Sequence, residues 1–491
     1  MKQHKRVLAL AAALIISLAN IAAVAQQTLD RTKIPPAGPT PVLNVPTWTR
    51  TQLANGATLI VSERHNLPLV SFNITFIGGS NQFEPAAKRG VAAITASMLS
   101  EGTTTRTGDQ LSDALQLLGT NVGAGVGGEE GSIGFVSTTR NFDATLAILG
   151  DMMLNSTFPA EALDRLRGRT LVNLTQAKDQ PTVVGAQVFA KILYGDAHPY
   201  GQRITEASVK AITRDDVVAF QKAYFQPGRA IITVVGDVTP AKAKTAVEKG
   251  LVAWTKAGDK PSFDYPKLPE LQPAKIYLVD KPGAAQSVFN IGLPGPPRNT
   301  PDYFALQVLN TILGGMFQSR LNANIREQKG YSYGVNSGFN YGKGPGAFRA
   351  GGSIFSGKTD AALIEFMKEL KGIVGEKPIT DEEVKTAKES LIQGLPQRFS
   401  SVSAISNAIT SLVVQGLPDD YYQTYAKNVS AVTKEDLLRV AKRYIDLGHL
   451  AIVIVGDRAT VEAPLKATGI APITYIDIEG NPAAAPPGSS N

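Results

Sequence analysis

The sequence contains no cysteine and very few histidines. With no cysteine among its 491 residues, the chain cannot form disulfides, thiolate metal sites or iron–sulfur clusters, and it has no cysteine nucleophile. Only His4, His65, His198 and His449 are present. No two of the last three lie at helical spacing. A catalytic zinc site takes three protein ligands, so we do not expect one on this chain.

Apolar runs of transmembrane length are also missing. The best candidate, residues 7–16, follows three basic residues and precedes the small-x-small site Ala23-Val24-Ala25. This order predicts a cleavable signal peptide over residues 1–25, with an uncleaved membrane anchor as the alternative. After cleavage we expect no transmembrane segment. Export of a chain without cysteine predicts the periplasm of a bacterium.

The composition is that of a folded protein without a nucleic-acid partner. Hydrophobic residues make up 43% of the chain and charged residues 19%, which excludes wholesale disorder. The formal net charge of +7 includes three positive charges of the leader. No basic run is interleaved with aromatic residues, so we predict no nucleic-acid binding.

The body of the chain reads as a duplicated unit. A helix opening at Thr213 leads to the apolar run 230–235, and a helix opening at Thr433 leads to the run 450–455. Each opening threonine is followed three residues later by an aspartate, Asp216 or Asp436, which resembles a capping box. The near-constant offset of about 220 residues indicates duplication of a whole domain.

Each unit reads as strands, then a block of helices, then a returning strand. In the first unit, one helical pattern predicts a helix over residues 86–100. This order predicts an α+β fold of two duplicated domains, each with helices packed on an antiparallel-rich sheet, which face each other as a clam-shell chamber. The predicted organisation is a signal peptide (1–25), a Pro-rich arm (26–46), an N-terminal domain (47–257), a linker (258–273), a C-terminal domain (274–468) and a partly disordered tail (469–491).

Two strings match catalytic motifs in the wrong context. Gly330-Tyr331-Ser332-Tyr333-Gly334 fits the G-x-S-x-G nucleophile elbow, but a helical pattern precedes it and a strand follows, the reverse of the required order. Residues 352–359 fit a phosphate-binding loop, but Ile354-Phe355 within them reads as a strand. We predict neither activity, and a hydrolase built on Ser332 stays open as a minor alternative.

Residues 119–134 contain seven glycines. Glycine allows two backbones to approach closely, as where an extended ligand pairs with an edge strand. A flexible loop explains the same composition. The sequence leaves both interpretations open, and the segment is expected to line the chamber or to contact a partner.

Three stretches together resemble one family. They are residues 90–103, residues 198–237 from His198-Pro199-Tyr200-Gly201 to Gly236-Asp237, and residues 314–333. In order and spacing they are similar to the insulinase/pitrilysin-like zinc peptidases, whose first helix carries H-x-x-E-H. The resemblance covers residues 47–460, and the two-domain architecture of that family agrees with the duplication.

The resemblance implies that the zinc site has been lost. Aligned on the family motif, the two histidines fall on Ala93 and Ser97 and the glutamate on Ala96. The family's third ligand falls near Asn173, ahead of Asp179-Gln180-Pro181. None of these four positions carries an imidazole or a carboxylate. The chain is therefore expected to bind no metal and to be no metallopeptidase on its own.

The second family motif is retained. Arg326 and Tyr333 match an Arg/Tyr pair that binds the substrate backbone in this family. The resemblance therefore implies a non-catalytic subunit of a heteromeric periplasmic peptidase. Its partner would be a homologous H-x-x-E-H subunit that holds the zinc, and peptides would be the substrates. The alternative is a stand-alone peptide-binding or assembly pseudoenzyme.

Overall fold

Two six-stranded sheets organise the part of the chain that the computed structural model describes, residues 44–255 and 258–483. The predicted signal peptide and most of the Pro-rich arm lie outside these residues. The strands of the first sheet are β1 (Thr49–Gln52), β2 (Thr58–Glu63), β3 (Leu69–Ile77), β4 (Gly123–Val126), β5 (Glu130–Thr138) and β6 (Ala230–Gly236). The strands of the second sheet are β7 (Lys275–Asp280), β8 (Gln286–Pro294), β9 (Ser332–Asn340), β10 (Ala347–Phe355), β11 (Ala451–Gly456) and β12 (Ile473–Ile476).

The sheet topology confirms the predicted duplication. The strand orders are β1-β2-β6-β3-β5-β4 and β12-β7-β11-β8-β10-β9, so five strands of each sheet correspond position by position. Antiparallel pairing joins four of the five neighbouring pairs in the first sheet and three of five in the second. Both are the antiparallel-rich α+β sheets that the sequence predicts.

Helices surround the sheets in both halves. Those of the first half are α1 (Ser80–Phe83), α2 (Val91–Met98), α3 (Gly108–Leu117), α4 (Phe142–Leu154), α5 (Ala160–Ala177), α6 (Pro181–Tyr194), α7 (Glu206–Lys210), α8 (Arg214–Tyr224) and α9 (Pro240–Gly250). Those of the second half are α10 (Tyr303–Asn310), α11 (Arg320–Asn322), α12 (Thr359–Lys371), α13 (Asp381–Gln393), α14 (Val402–Val414), α15 (Tyr421–Ala431), α16 (Lys434–Tyr444) and α17 (Arg458–Ala467). Within the described ranges, none of these helices has both the length and the apolar character needed to cross a bilayer.

Helix starts follow the sequence signals. Thr213 and Thr433 each accept a hydrogen bond from the backbone N–H of the aspartate three residues later, and each aspartate side chain accepts one from the threonine N–H. These are the predicted capping boxes of α8 and α16. Each satisfies backbone donors that a helix start otherwise leaves unpaired.

The helix expected over residues 86–100 is interrupted. A short 3₁₀ turn, Ala86–Lys88, precedes α2, and Gly90 between them has φ +105°. That backbone conformation strains any residue with a Cβ, so helical periodicity across this point does not give a continuous helix. Glycine at position 90 sets the start of α2.

The C-terminal tail contributes a strand that the sequence did not predict. Residues 469–491 are predicted to be a partly disordered tail, and within them β12 pairs in parallel with β7. Ile473 and Ile476 pair with Ile276 and Val279. Four residues are too few for a reliable periodic signal. The last residues, 484–491, lie outside the described part of the chain.

Each half packs one of its helices on the sheet of the other half. Helix α6 packs on β8 and β11 of the second sheet, and α14 packs on β3 and β6 of the first. Val184 and Val188 of α6 lie in one buried cluster with Val453 and Val455 of β11, and burying each such side chain contributes about 1.5–3 kcal/mol. Each sheet therefore carries its own helices on one face and a helix of the other half on the opposite face.

Candidate functional site

Helix α2 carries the first family motif at the rim of the first sheet. Ala93 and Ser97 are exposed, one helical turn apart, while Ala96 is only 4% exposed. The helix packs against β4, α5 and α8. Residues four apart share a helical face, so the structure places Ala93 and Ser97 side by side on one surface.

Asn173 lies on α5, a helix that contacts α2, and its side chain is exposed. The four motif positions thus offer two methyl groups, one hydroxyl and one amide. Zinc in proteins binds imidazole, thiolate or carboxylate, so these side chains do not fit the metal. Within the described ranges, no three His, Cys, Asp or Glu residues are grouped so that they could hold a metal ion. No chemical step through a metal follows for this chain.

The scaffold of the motif helix is intact. The side chain of Glu84 is only 3% exposed and accepts hydrogen bonds from the backbone N–H groups of Gly90 (3.0 Å) and Ala92 (2.7 Å) at the start of α2. Burial raises the pKa of Glu84, against the lowering effect of these bonds and of Arg89, whose Nη1 lies 3.7 Å from its Oε2. A buried carboxylate thus fixes the position of a helix that lacks metal ligands.

The glycine-rich segment forms an edge strand. Within residues 119–134, β4 and the start of β5 form a hairpin, and β4 ends the first sheet. A Cβ added at Gly123 or Gly125 meets no other part of the described chain within 4 Å. Of the two interpretations of the glycines, the structure therefore favours the edge strand. Its outer backbone groups can pair with an extended chain.

Glu129, at the tip of this hairpin, joins the two halves. Its two carboxylate oxygens accept hydrogen bonds from the backbone N–H of Lys343 (3.0 and 2.9 Å), in the turn between β9 and β10. The hydroxyls of Tyr265 (2.9 Å) and Tyr200 donate to Oε1 of the same carboxylate. The β4–β5 turn of the first sheet and the β9–β10 turn of the second sheet are therefore in contact. Nothing local in the sequence marked Glu129, because its partners lie between 71 and 214 residues away.

Arg326 and Tyr333 lie on either side of one turn. Arg326 sits in the π-helical segment Ala323–Gln328, with its Cζ 4.2 Å from the ring centroid of Phe317 and its Nη1 2.9 Å from Oε1 of Glu327. Gly330, with φ +65°, makes the turn into β9 and donates to the carbonyl of Arg326 at 3.1 Å. The described residues show no hydrogen bond between the two predicted side chains.

Tyr333 is the most exposed aromatic residue of this region, at 81%. It lies on β9 where the register with β10 shifts between Gly352 and Ile354. A bulge of this kind redirects side chains at a sheet edge. The Tyr333 ring packs against Phe355, at a centroid distance of 5.5 Å. Its hydroxyl is therefore available to a ligand.

Other residues of the second motif support this turn. The buried Arg320 donates from Nε and Nη2 to the two carboxylate oxygens of Glu383, at 2.6 and 2.8 Å. A Cβ at Gly314 would lie 2.4 Å from the backbone nitrogen of Ser337 on β9. The segment that carries Arg326 and Tyr333 is thus held in place by an ion pair and by close packing.

The two segments that match catalytic motifs, residues 330–334 and 352–359, have structural roles. Ser332 lies on β9, is 5% exposed, and donates to the carbonyl of Ser353 (2.7 Å), so its hydroxyl is not presented as a nucleophile. Only a three-residue 3₁₀ turn, Ser356–Lys358, separates β10 from α12, and Thr359 is 1% exposed. Neither place has the geometry its motif needs.

His198 is a packing residue. Its side chain is fully buried, its Nδ1 accepts a hydrogen bond from the backbone N–H of Tyr200 (3.1 Å), and its ring stacks on Tyr194. Burial lowers the pKa of His198, because it penalises the charged form. The structure therefore assigns it to the turn and the core.

Comparison with known proteins gives the family. A model described as "Insulinase (Peptidase family M16)" matches residues 59–199, and one described as "Peptidase M16 inactive domain" matches residues 211–391. The chain belongs to the M16 peptidase family. The comparisons support an inactive M16-like protein that lacks the zinc motif.

Among the proteins similar to this M16 chain, some are named as proteases and others as inactive domains. An "uncharacterized zinc protease" of Rickettsia felis is 26% identical over 363 residues, covering 73% of this chain and 85% of the relative. A solved "peptidase M16 inactive domain" from Pseudomonas fluorescens aligns with a TM-score of 0.76 and 24% identity, over 83% of this chain and 98% of the other. The periplasmic protease PqqL of Escherichia coli aligns with a TM-score of 0.70 and 18% identity, over 89% of this chain but only 50% of PqqL.

Proposed function

We propose that this chain is the zinc-less, peptide-binding subunit of a heteromeric periplasmic peptidase of the M16 family. One observation carries the proposal. The four metal positions hold side chains that cannot bind zinc, whereas the elements that would hold a peptide, β4 and the Arg326/Tyr333 turn, remain exposed. Loss of ligands with retention of a binding surface favours a division of labour between two chains.

The free edge of β4 would bind the peptide backbone. An extended chain added there gains main-chain hydrogen bonds, which are independent of side chains and so tolerate many sequences. The glycines at 123 and 125 leave the approach open. Helix α2 packs beside β4, so a peptide on this edge would run past the surface where active relatives place their metal.

Arg326 and Tyr333 would hold a carbonyl of the peptide. A guanidinium donates hydrogen bonds but cannot accept them, and a phenolic hydroxyl does either. Arg326 is 33% exposed and its ion pair with the neighbouring Glu327 is open to solvent. Exchanging such a pair for a peptide carbonyl costs little, because surface ion pairs contribute only about 0–1 kcal/mol.

A partner would supply what this chain lacks. The chain spans half of the length of PqqL, so a protein of PqqL's size has room for a second pair of such domains. In the proposed complex, a homologous H-x-x-E-H subunit supplies that second pair and holds the zinc, which activates water for hydrolysis. Our chain's own residues bind and orient the peptide across the shared chamber.

Co-purification tests the proposal. Tagged chain would be isolated from the envelope of its native bacterium, and co-purifying proteins would be identified and quantified by mass spectrometry. A near-stoichiometric chain carrying H-x-x-E-H supports the split peptidase. A homomer without such a partner contradicts it, and would favour the stand-alone peptide-binding or assembly protein.

A further inference from the structure

Arg349 occupies a central position on the face of the second sheet that lacks its own helices. It lies on β10, opposite Gly292 of β8 and Gly338 of β9. Its strand neighbours Phe348 and Ala350 are fully buried in the core formed with the helices of the second half. Side chains alternate along a strand, so Arg349 points to the opposite face.

That face is only partly covered. Helix α6 lies over β8 and β11, while β9 and β10 extend beyond them to the edge of the sheet. We call the surface formed by Asn336, Gly338 and Arg349 the open face of the second sheet. A Cβ added at Gly338 meets nothing within 4 Å in the described ranges, so there is room for a ligand beside Arg349.

The guanidinium of Arg349 is held by amides and has no carboxylate. Its Nε donates to Oδ1 of Asn290, and its Nη1 lies 3.4 Å from Oδ1 of Asn336. No Asp or Glu oxygen of the described residues lies within 4.0 Å of it. Burial lowers the pKa of Arg349, and no acidic group opposes this shift.

Asn290 fixes the position of this charge. It is 1% exposed and lies under α6, where a Cβ at Gly185 would come within 2.7 Å of its Nδ2. The buried Asn290 thus orients the Arg349 side chain, and the neighbouring Asn336 is exposed. By contrast, Arg320 in the same half is fully paired with Glu383. A positioned but uncompensated cation is costly to keep, which is typical of a binding site.

We propose that Arg349 is a carboxylate-recognition site, which selects peptides carrying an acidic group at the position that reaches the open face. The planar guanidinium matches a carboxylate with two parallel hydrogen bonds. The site rests on the proposed peptide-binding function. The β4–β5 hairpin contacts the β9–β10 turn through Glu129 and Lys343, and in this proposal a peptide bound to β4 reaches the open face past that contact. Either an acidic side chain or the C-terminal carboxylate of the peptide supplies the anion.

Sets of four labelled peptides, one set for each internal position, test the site. Each is an extended twelve-residue Ser/Thr/Val peptide with fluorescein at its N-terminus. Each has either glutamate or glutamine at an internal position scanned along the peptide, and either a free or an amidated C-terminus. Binding to the wild-type chain is measured by fluorescence anisotropy. We expect the preferred carboxylate peptide to bind at least fivefold more tightly than its neutral match. The position of the effect distinguishes a side chain from the C-terminus.

Variants assign the preference to Arg349. In R349Q the discrimination between acidic and neutral peptides should disappear, while the neutral peptides bind as before. R349K, which keeps the positive charge but not the planar guanidinium, should retain part of the discrimination. R140Q removes an equally charged but exposed arginine and should leave the discrimination unchanged. Thermal melts verify that each variant is folded.

The outcomes separate this inference from the proposed function. If wild-type protein binds acidic and neutral peptides equally, the Arg349 site is wrong while peptide binding stands. If R349Q or R349K discriminates as well as wild type, the site is likewise wrong. If wild-type protein binds none of the peptides, both the site and the peptide-binding function are contradicted.

Discussion

Arg320 and Glu383 form a buried, two-point ion pair that fixes the Arg326/Tyr333 turn to helix α13. The guanidinium is 3% exposed, and it also donates to the carbonyls of Lys377 (3.0 Å) and Pro378 (3.1 Å). Removing the arginine leaves a partly buried carboxylate unpaired, which is strongly destabilising. R320M should lower the free energy of unfolding by about 3 kcal/mol, measured by urea denaturation.

The matched control for R320M is the double variant R320M/E383Q, in which both charges are absent. It should recover part of the loss, since no isolated carboxylate remains. A change below about 0.5 kcal/mol in R320M would show that the ion pair does not hold this region.

The same pair predicts how stability depends on pH. Burial opposes ionisation of Glu383, but hydrogen bonds from Arg320 and Thr380 outweigh it and lower the pKa from 4.5 to about 2. A folded pKa below the unfolded value gives stability that is present above about pH 4.5 and lost as the pH falls towards 2. Since Glu383 is 26% exposed, we expect a loss of roughly 2 kcal/mol.

Denaturation of wild type and E383Q between pH 6 and pH 3 measures this loss. The stability advantage of wild type should shrink steadily as the pH falls below 4.5. A constant difference between the two proteins across this range would mean that Glu383 has no lowered pKa.

Restoring the lost ligands should restore metal binding. Ala93 and Ser97 share an exposed face, and Asn173 lies on the adjoining helix α5. The variant A93H/S97H/N173E therefore offers two imidazoles and one carboxylate, a known catalytic zinc set. Position 96 is left unchanged because Ala96 is buried. After dialysis, elemental analysis should find about one zinc per chain in the variant and none in wild type. Stoichiometric zinc in wild type would contradict the loss of the site.

Much of the fold could be predicted because its signals are local or repeated. The paired threonine caps at 213 and 433 and the recurring apolar strands indicated duplication, and the sheet orders agree. The family spacing aligned the motif histidines with positions 93 and 97, and both positions lie on an exposed face of α2. The break at Gly90 was missed because helical periodicity does not report a residue with positive φ.

The rest depends on contacts between distant residues. Periodicity shows that α6 has an apolar face, but not that this face packs on the sheet of the other half. Glu129 read as one charge in a glycine-rich segment, because its partners Tyr200, Tyr265 and Lys343 lie far along the chain. Arg349 stands out because amide groups, and no carboxylate, surround its guanidinium in the described residues. The sequence does not show this, because these neighbours are brought together only by the folded sheet.

The most direct test is the rate of peptide hydrolysis by this chain after reconstitution with the proposed H-x-x-E-H subunit. If Arg326 holds a peptide carbonyl, loss of this charge-assisted bond should cost about 1.5–3 kcal/mol. R326A should therefore lower kcat/KM at least tenfold while the complex still assembles by size-exclusion chromatography, and Y333F should also lower it. The control variant R140A, which removes an exposed arginine elsewhere on the chain, should leave kcat/KM unchanged. Unchanged hydrolysis with R326A and Y333F would contradict a substrate-binding role for this subunit.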